Sequence, residues 1–167
     1  MTSGACRRSR NHGCGRADLP TLIVIGARAI VDETMADLRA RGIDDVRPLH
    51  GFLFAALRGD GLSVGALAER LEVSHQAAGK VVTEMEGLGL VRRVPDPADA
   101  RRRIVTLTAR AREVMAAGGA ARAAIVRRLE EACGPDDLAA ATRVMEQVVG
   151  WHGGSLDALA RRAKPVW

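Results

Sequence analysis

Aromatic residues are almost missing from this 167-residue chain, which has two Phe, two Trp and no Tyr. Sheets and base-stacking platforms lean on aromatic side chains, so the shortage argues against an RNA-recognition sheet or a single-strand-binding barrel. Long apolar runs are missing too: no stretch approaches the roughly 18–20 residues that a membrane span needs. Cysteine is scarce and odd in number. Cys6 and Cys14 lie near the start and Cys133 far away, which makes no disulfide framework. There is no nucleophile–base pairing, glycine-rich phosphate loop or metal triad, so neither an enzyme nor a cofactor is expected.

What is present is Ala, Leu and Arg in quantity, the composition of helices. The length suits one domain with appended helices and a real core. The net charge is +5, but Arg7, Arg8, Arg10 and Arg16 against Asp18 supply +3 of it; beyond residue 18 there are 21 basic and 19 acidic residues, a balance of only +2. Global charge is therefore weak evidence for nucleic acid. The run from Arg92 to Arg103 says more: five Arg (92, 93, 101, 102, 103) stand against Asp96 and Asp99.

Residues 1–17 read as a disordered basic tail. The apolar run from Leu19 to Val31 follows basic residues, as a secretion signal would. Pro20 and Arg28 interrupt it, however, and the helical pattern continues to Leu38. It reads as a first structural helix, capped by Asp18, ended by Gly42 and burying Leu22, Ile23, Ile30, Met35 and Leu38, and the protein reads as cytoplasmic. A second helix, about Arg47–Leu57, carries Leu49, Phe52, Leu53, Ala56 and Leu57 on one stripe. Gly59-Asp60-Gly61 makes a turn. Ser63 caps a short helix, Val64–Glu72, and Ser74 caps another, His75–Leu88, whose expected buried residues are Ala77, Val81, Met85 and Leu88. Two strand-like runs, Leu90–Val94 and Arg102–Leu107, flank a turn with Pro95, Asp96, Pro97 and Asp99. Helices follow, about Ala109–Cys133 and from near Asp136 onward, the latter carrying Leu138, Val144, Val148, Leu156 and Leu159. Gly118-Gly119 inside the first reads either as a kink or as a close helix crossing.

A short helix, a tight turn and a second capped helix make a helix-turn-helix, and the basic hairpin makes it winged. The fold expected is mainly α with a small β wing. On the second helix Gln76, Gly79 and Thr83 point away from the expected buried stripe, with His75 and Lys80 flanking. Gln reaches base edges bidentately, Gly permits close approach and Lys reaches phosphate. The caps Ser63 and Ser74 leave helix N-termini suited to phosphate. Arg101, Arg102 and Arg103, following a turn held out by two prolines, would enter a minor groove, with Asp99 placed to orient Arg101. An Arg run alone is usually a solvated face; its place after a helix-turn-helix changes that weighting.

The stretch LSVGALAERLEVSHQAAGKVVTEMEGLGLVRRVPDPADARRRIVTLT, residues 62–108, resembles the winged helix of the MarR family of bacterial transcriptional regulators. The matching pieces, in order, are Leu67-Ala68-Glu69-Arg70-Leu71, Gly89-Leu90-Val91-Arg92-Arg93, Asp96-Pro97-Ala98-Asp99-Ala100-Arg101 and Leu107-Thr108. With its flanking helices the resemblance covers about residues 18–163. It implies a homodimer on pseudo-palindromic double-stranded DNA, usually a repressor released by a small-molecule effector. It also suggests an effector pocket near Phe52, Phe54 or Trp151. The chain departs from the pattern at Ala111, where the family often has Gly, at Gly118-Gly119, and in its basic tail.

The expected organisation is thus a tail (1–17), an N-terminal dimerisation helix (18–46), a DNA-binding winged helix (47–108) and C-terminal dimerisation helices (109–167). A dimer also follows from the residues themselves. A helix from Ala109 to Cys133 is roughly 36 Å long, more than a small winged helix can cover. The alternatives are a winged helix used only to bind protein, which would show apolar residues at Gln76, Thr83 and the wing tip, or a thiol- or metal-sensing member of the same class. Cys6, His12 and Cys14 match no zinc spacing, Cys133 reads as a small core residue, and His50 reads as a satisfied or half-exposed histidine rather than a ligand.

Overall fold

Hydroxyl and carboxylate caps start four of the helices. Asp18 accepts from the Thr21 N–H at 2.8 Å, Ser63 from Ala66 at 3.1 Å, Ser74 from Ala77 at 3.2 Å and Thr108 from Ala111 at 3.2 Å. Each such bond satisfies a donor that a helix start leaves open, worth about 1 kcal/mol. The computed structural model describes residues 17–151. The elements run α1 (Leu19–Ala40), α2 (Pro48–Ala56), α3 (Val64–Arg70), α4 (His75–Gly87), β1 (Val91–Asp96), β2 (Asp99–Leu107), α5 (Ala109–Cys133) and α6 (Pro135–Gly150). Cys6, His12, Cys14, Leu156, Leu159 and Trp167, and all of the expected tail except Ala17, lie outside the described residues. No helix among the described residues is long and apolar enough to cross a membrane.

The fold is mainly helical with one small antiparallel sheet, as expected. β1 and β2 pair from Val91 opposite Leu107 to Pro95 opposite Arg103. Leu62 adds a single bridge on Val105, with hydrogen bonds of 3.1 and 2.7 Å. Gly61 makes that approach possible. Its φ is +93°, and a Cβ there would stand 2.7 Å from the Val105 carbonyl oxygen.

The core gathers one face from each of α2 to α5 and the hairpin: Leu53 of α2 with Leu57 at its end, Leu67 of α3, Val82 and Met85 of α4, Val91, Val105 and Leu107 of the hairpin, and Ala111 and Val114 of α5. Burial of residues this size is worth about 1.5–3 kcal/mol each. Ionic contacts tie the layers together. Arg110 bonds Asp45 at 2.6 Å, Arg128 bonds Glu33 at 2.8 Å, and Arg70 bonds the Ala56 carbonyl at 2.7 Å.

Several expectations are corrected. α4 buries Ala78, Val82 and Met85, while Ala77 is exposed and Val81 and Leu88 are half-buried. Ala77 and Ala78 are equally apolar, so spacing alone does not separate two stripes one residue apart. α1 buries only Thr34 and Leu38; Leu22 and Ile30 are exposed and Ile23 and Met35 half-buried. On α2, Leu49 and Phe52 are half-buried and Phe54 is buried instead. Cys133 is exposed, its thiol bonded to the Leu129 carbonyl at 2.9 Å. α5 runs unbroken through Gly118-Gly119. A Cβ on Gly118 would meet only the end of Arg122, at 3.4 Å, and one on Gly119 nothing within 4 Å. The pair therefore marks no close crossing within the chain.

Much apolar surface stays uncovered. Leu19, Leu22, Val24, Ile25 and Ile30 on α1, Val126 and Leu129 on α5, and Val144 and Met145 on α6 are all exposed. None of the described residues of α6 is buried.

Candidate nucleic-acid interface

Because α4 turns Ala78, Val82 and Met85 inward, its opposite side follows from 100° per residue. Gln76, Lys80 and Thr83 form that outer ridge, and all three are exposed. Lys80 stands at its centre rather than on its flank, and half-buried Gly79 is the flanking residue. The one-residue shift in the buried stripe accounts for the exchange. No ion-pair partner for Lys80 occurs among the described residues. Ser74 and His75 are exposed at the start of the helix, and Ser63 is half-buried. The His75 ring lies over the first turn of α3, where a Cβ on Gly65 would be 4.0 Å from its Cδ2.

The wing is longer than expected. β1 extends to Asp96 and β2 begins at Asp99, so the turn is Asp96-Pro97-Ala98-Asp99. Asp96 opposes Asp99 while the neighbouring Pro95 opposes Arg103, so residues 100–102 bulge out of the ladder. Arg101 and Arg102 therefore lie in the bulge, and Arg103 opens the regular pairing. All three are exposed. The role expected of Asp99 is corrected: it accepts from the backbone N–H of Arg101 at 3.0 Å, and its ion pair, at 3.4 Å, is with Arg102. Within the described residues the guanidiniums of Arg101 and Arg103 carry no ion pair. The register of this bulge leaves them uncompensated.

Two groups that spacing did not single out brace the ridge. Arg93 on β1 pairs with Glu86 of α4, and its Nη2 also donates to the Thr83 hydroxyl at 3.3 Å. Glu84 of α4 pairs with Arg47 and meets His50 Nε2 at 3.3 Å. His50 is wholly buried. Its Nδ1 accepts from the Arg47 N–H at 3.2 Å, so Nε2 carries the proton and donates to Glu84. Both ring nitrogens are thus used, as expected of a satisfied histidine. Burial lowers the affinity of this imidazole for a second proton, by more than the Glu84 carboxylate raises it. Burial alone would raise Glu84; the Arg47 bond and charge and the His50 bond outweigh it, and its value falls below the ordinary one. Arg93 at least lies in the basic run; the partners His50 and Glu84 are 34 residues apart, beyond any local pattern.

A cleft of about 360 Å³ opens between α1, α2 and α5. Phe52 and Phe54 line it with Thr34, Leu38, Val114 and Gly118, and Arg58 and Arg122 line it too. Trp151, expected as a third lining residue, is 76% exposed and is not part of it. Among the described residues no cluster of His, Cys, Asp or Glu could hold a metal.

Residues 47–102 match the model of the MarR family. The transcriptional regulator HosA of Escherichia coli O111:H- is 36% identical over 74 residues, which are 44% of this chain and 55% of that protein. The chain thus matches about half the length of this curated relative. Among solved structures, RV1404 from Mycobacterium tuberculosis superposes with a TM-score of 0.66 at 20% identity, covering 82% of this chain and 93% of that one. YusO from Bacillus subtilis gives 0.60 at 23% identity, with 79% and 95% covered. The MepR–DNA complex of S. aureus gives 0.61 at 16% identity, with 80% and 96% covered. At these identities the structures establish the shared fold.

Proposed function

We propose, from the match of residues 47–102 to the model of the MarR family, that this chain is a homodimeric, sequence-specific double-stranded-DNA-binding transcriptional regulator, a repressor released by a small-molecule effector. The observation that carries the reading is the polar ridge Gln76–Lys80–Thr83, exposed beside a wing whose Arg101 and Arg103 lack ion-pair partners among the described residues. A ridge of this size fits a major groove, and unpaired guanidiniums fit phosphates or a narrow minor groove. That the fold is shared with the MepR–DNA complex agrees with this use.

In this reading residues 47–108 bind DNA, and 18–46 and 109–167 bring two copies together. The apolar sides of α1, α5 and α6 need such a cover, because a helix with an uncovered apolar stripe is marginal in water. A twofold partner would also present two ridges to successive major grooves, roughly 34 Å apart. The cleft beside Phe52 is the effector site. It lies against Arg47, which holds Glu84 of the reading helix, so a ligand there would act on α4.

The test is fluorescence anisotropy on duplexes from the region upstream of the protein's own coding sequence, at two salt concentrations. Gln76→Ala is expected to cost about 1–3 kcal/mol and to relax base preference at one position. Arg101→Ala is expected to weaken all duplexes and to flatten the salt dependence. If both variants bind as the parent does, the ridge and the wing are not the DNA contacts.

A further inference from the structure

We propose that a second cleft, behind the wing, binds a small multivalent oxyanion such as a phosphorylated or polycarboxylated metabolite. The cleft measures about 440 Å³ and lies between the end of α2, the outer side of the β1–β2 pair and the first turns of α5. Such a volume is in the range of small-molecule sites, about 300–1,000 Å³. Three arginines line it, Arg58, Arg92 and Arg112, and no Asp or Glu does. All three residues are exposed, and none of the three has an ion-pair partner among the described residues. Among the other described arginines, Arg28, Arg41, Arg47, Arg93, Arg102, Arg110 and Arg128 each meet a carboxylate, whereas others, Arg101 and Arg103 of the wing included, do not.

Thr106 is on the same wall, and its hydroxyl oxygen is buried with no hydrogen-bond partner. A buried hydroxyl left unpaired is costly, and a rotation about its Cα–Cβ bond would offer it to an oxyanion. The fork geometry of guanidinium suits oxygen pairs on phosphate or carboxylate, and three such groups match a ligand of two or three negative charges. The site is separate from the reading ridge. Arg93, next to Arg92, points the other way, to Glu86 and Thr83 of α4. Alternation along β1 puts Arg92 on the opposite face. The proposal therefore stands without the DNA-binding reading.

The experiment is isothermal titration of the full chain, without DNA, with pyrophosphate in one arm and citrate in the other, at near-physiological salt. The expected result is saturable binding of one ion per chain in at least one arm; the arm that binds identifies phosphate or carboxylate as the preferred group. The conservative surface variants Arg92→Gln and Arg112→Gln should each weaken that binding by about tenfold or more. Lys80→Gln, on the far side, should leave it unchanged. No saturable binding in either arm overturns the proposal. So does equal affinity in the parent and both cleft variants, or an equal loss in Lys80→Gln, which would mean attraction to basic surface in general.

Discussion

His50 holds its place by chemistry that depends on one proton. Nδ1 accepts from the Arg47 N–H and Nε2–H donates to Glu84, so a second proton on Nδ1 would oppose the Arg47 donor inside a buried site. The charged groups around it are Glu84, Arg47 and Asp45. The folded state lowers the pKa of the ring, so below the ordinary value of 6.5 the unfolded chain takes up protons more readily. The stability contributed by neutral His50 is therefore complete above 6.5 and declines as the pH falls from there toward the lowered folded value. Denaturation with urea should give a midpoint that drops between about pH 7.5 and about pH 5, and His50→Gln should flatten that slope. Equal slopes in the two proteins would remove His50 from this role. That His50 would be satisfied was legible from its residue type, but its partner was not: Glu84 reaches it only through packing of α2 on α4.

At the scale of elements, caps and turns were the legible part. Asp18, Ser63 and Ser74 begin helices where a short polar acceptor precedes an apolar run. The rotation of α4 and the register of the wing were not legible. Adjacent alanines allow two inward faces, and a bulge is set by pairing across the hairpin rather than by turn residues alone. That is why Lys80 moved to the centre of the ridge and Asp99 turned out to pair with Arg102. The Gly118-Gly119 pair reads as a kink or a close crossing; α5 is one continuous helix through it, and among the described residues no backbone crosses there. Gly118 instead lies on the floor of the α1–α2–α5 cleft. Its position is helical and buried, and a Cβ there would make only ordinary contact with the end of Arg122, so Gly118→Ala should raise stability by about 0.5–1 kcal/mol, read from chemical denaturation. A loss of stability instead would show that the bare backbone is needed there.

At the scale of the whole molecule, two features that lie apart in one chain would be joined in the proposed dimer. In the proposed function the polar ridge and the wing serve a single half-site, while the apolar sides of α1, α5 and α6 are exposed among the described residues. Leu22 and Ile30 looked like core from spacing because periodicity reports an apolar face and not what lies against it. The proposed second copy would answer both, covering the apolar face and pairing the half-sites. The most direct test is selection from a library of random DNA duplexes by the purified protein, followed by sequencing. The account predicts an enriched inverted repeat, with half-sites centred about 10 base pairs or one helical turn apart. Recovery of no preferred sequence, or of a lone half-site with no symmetric mate, would contradict it.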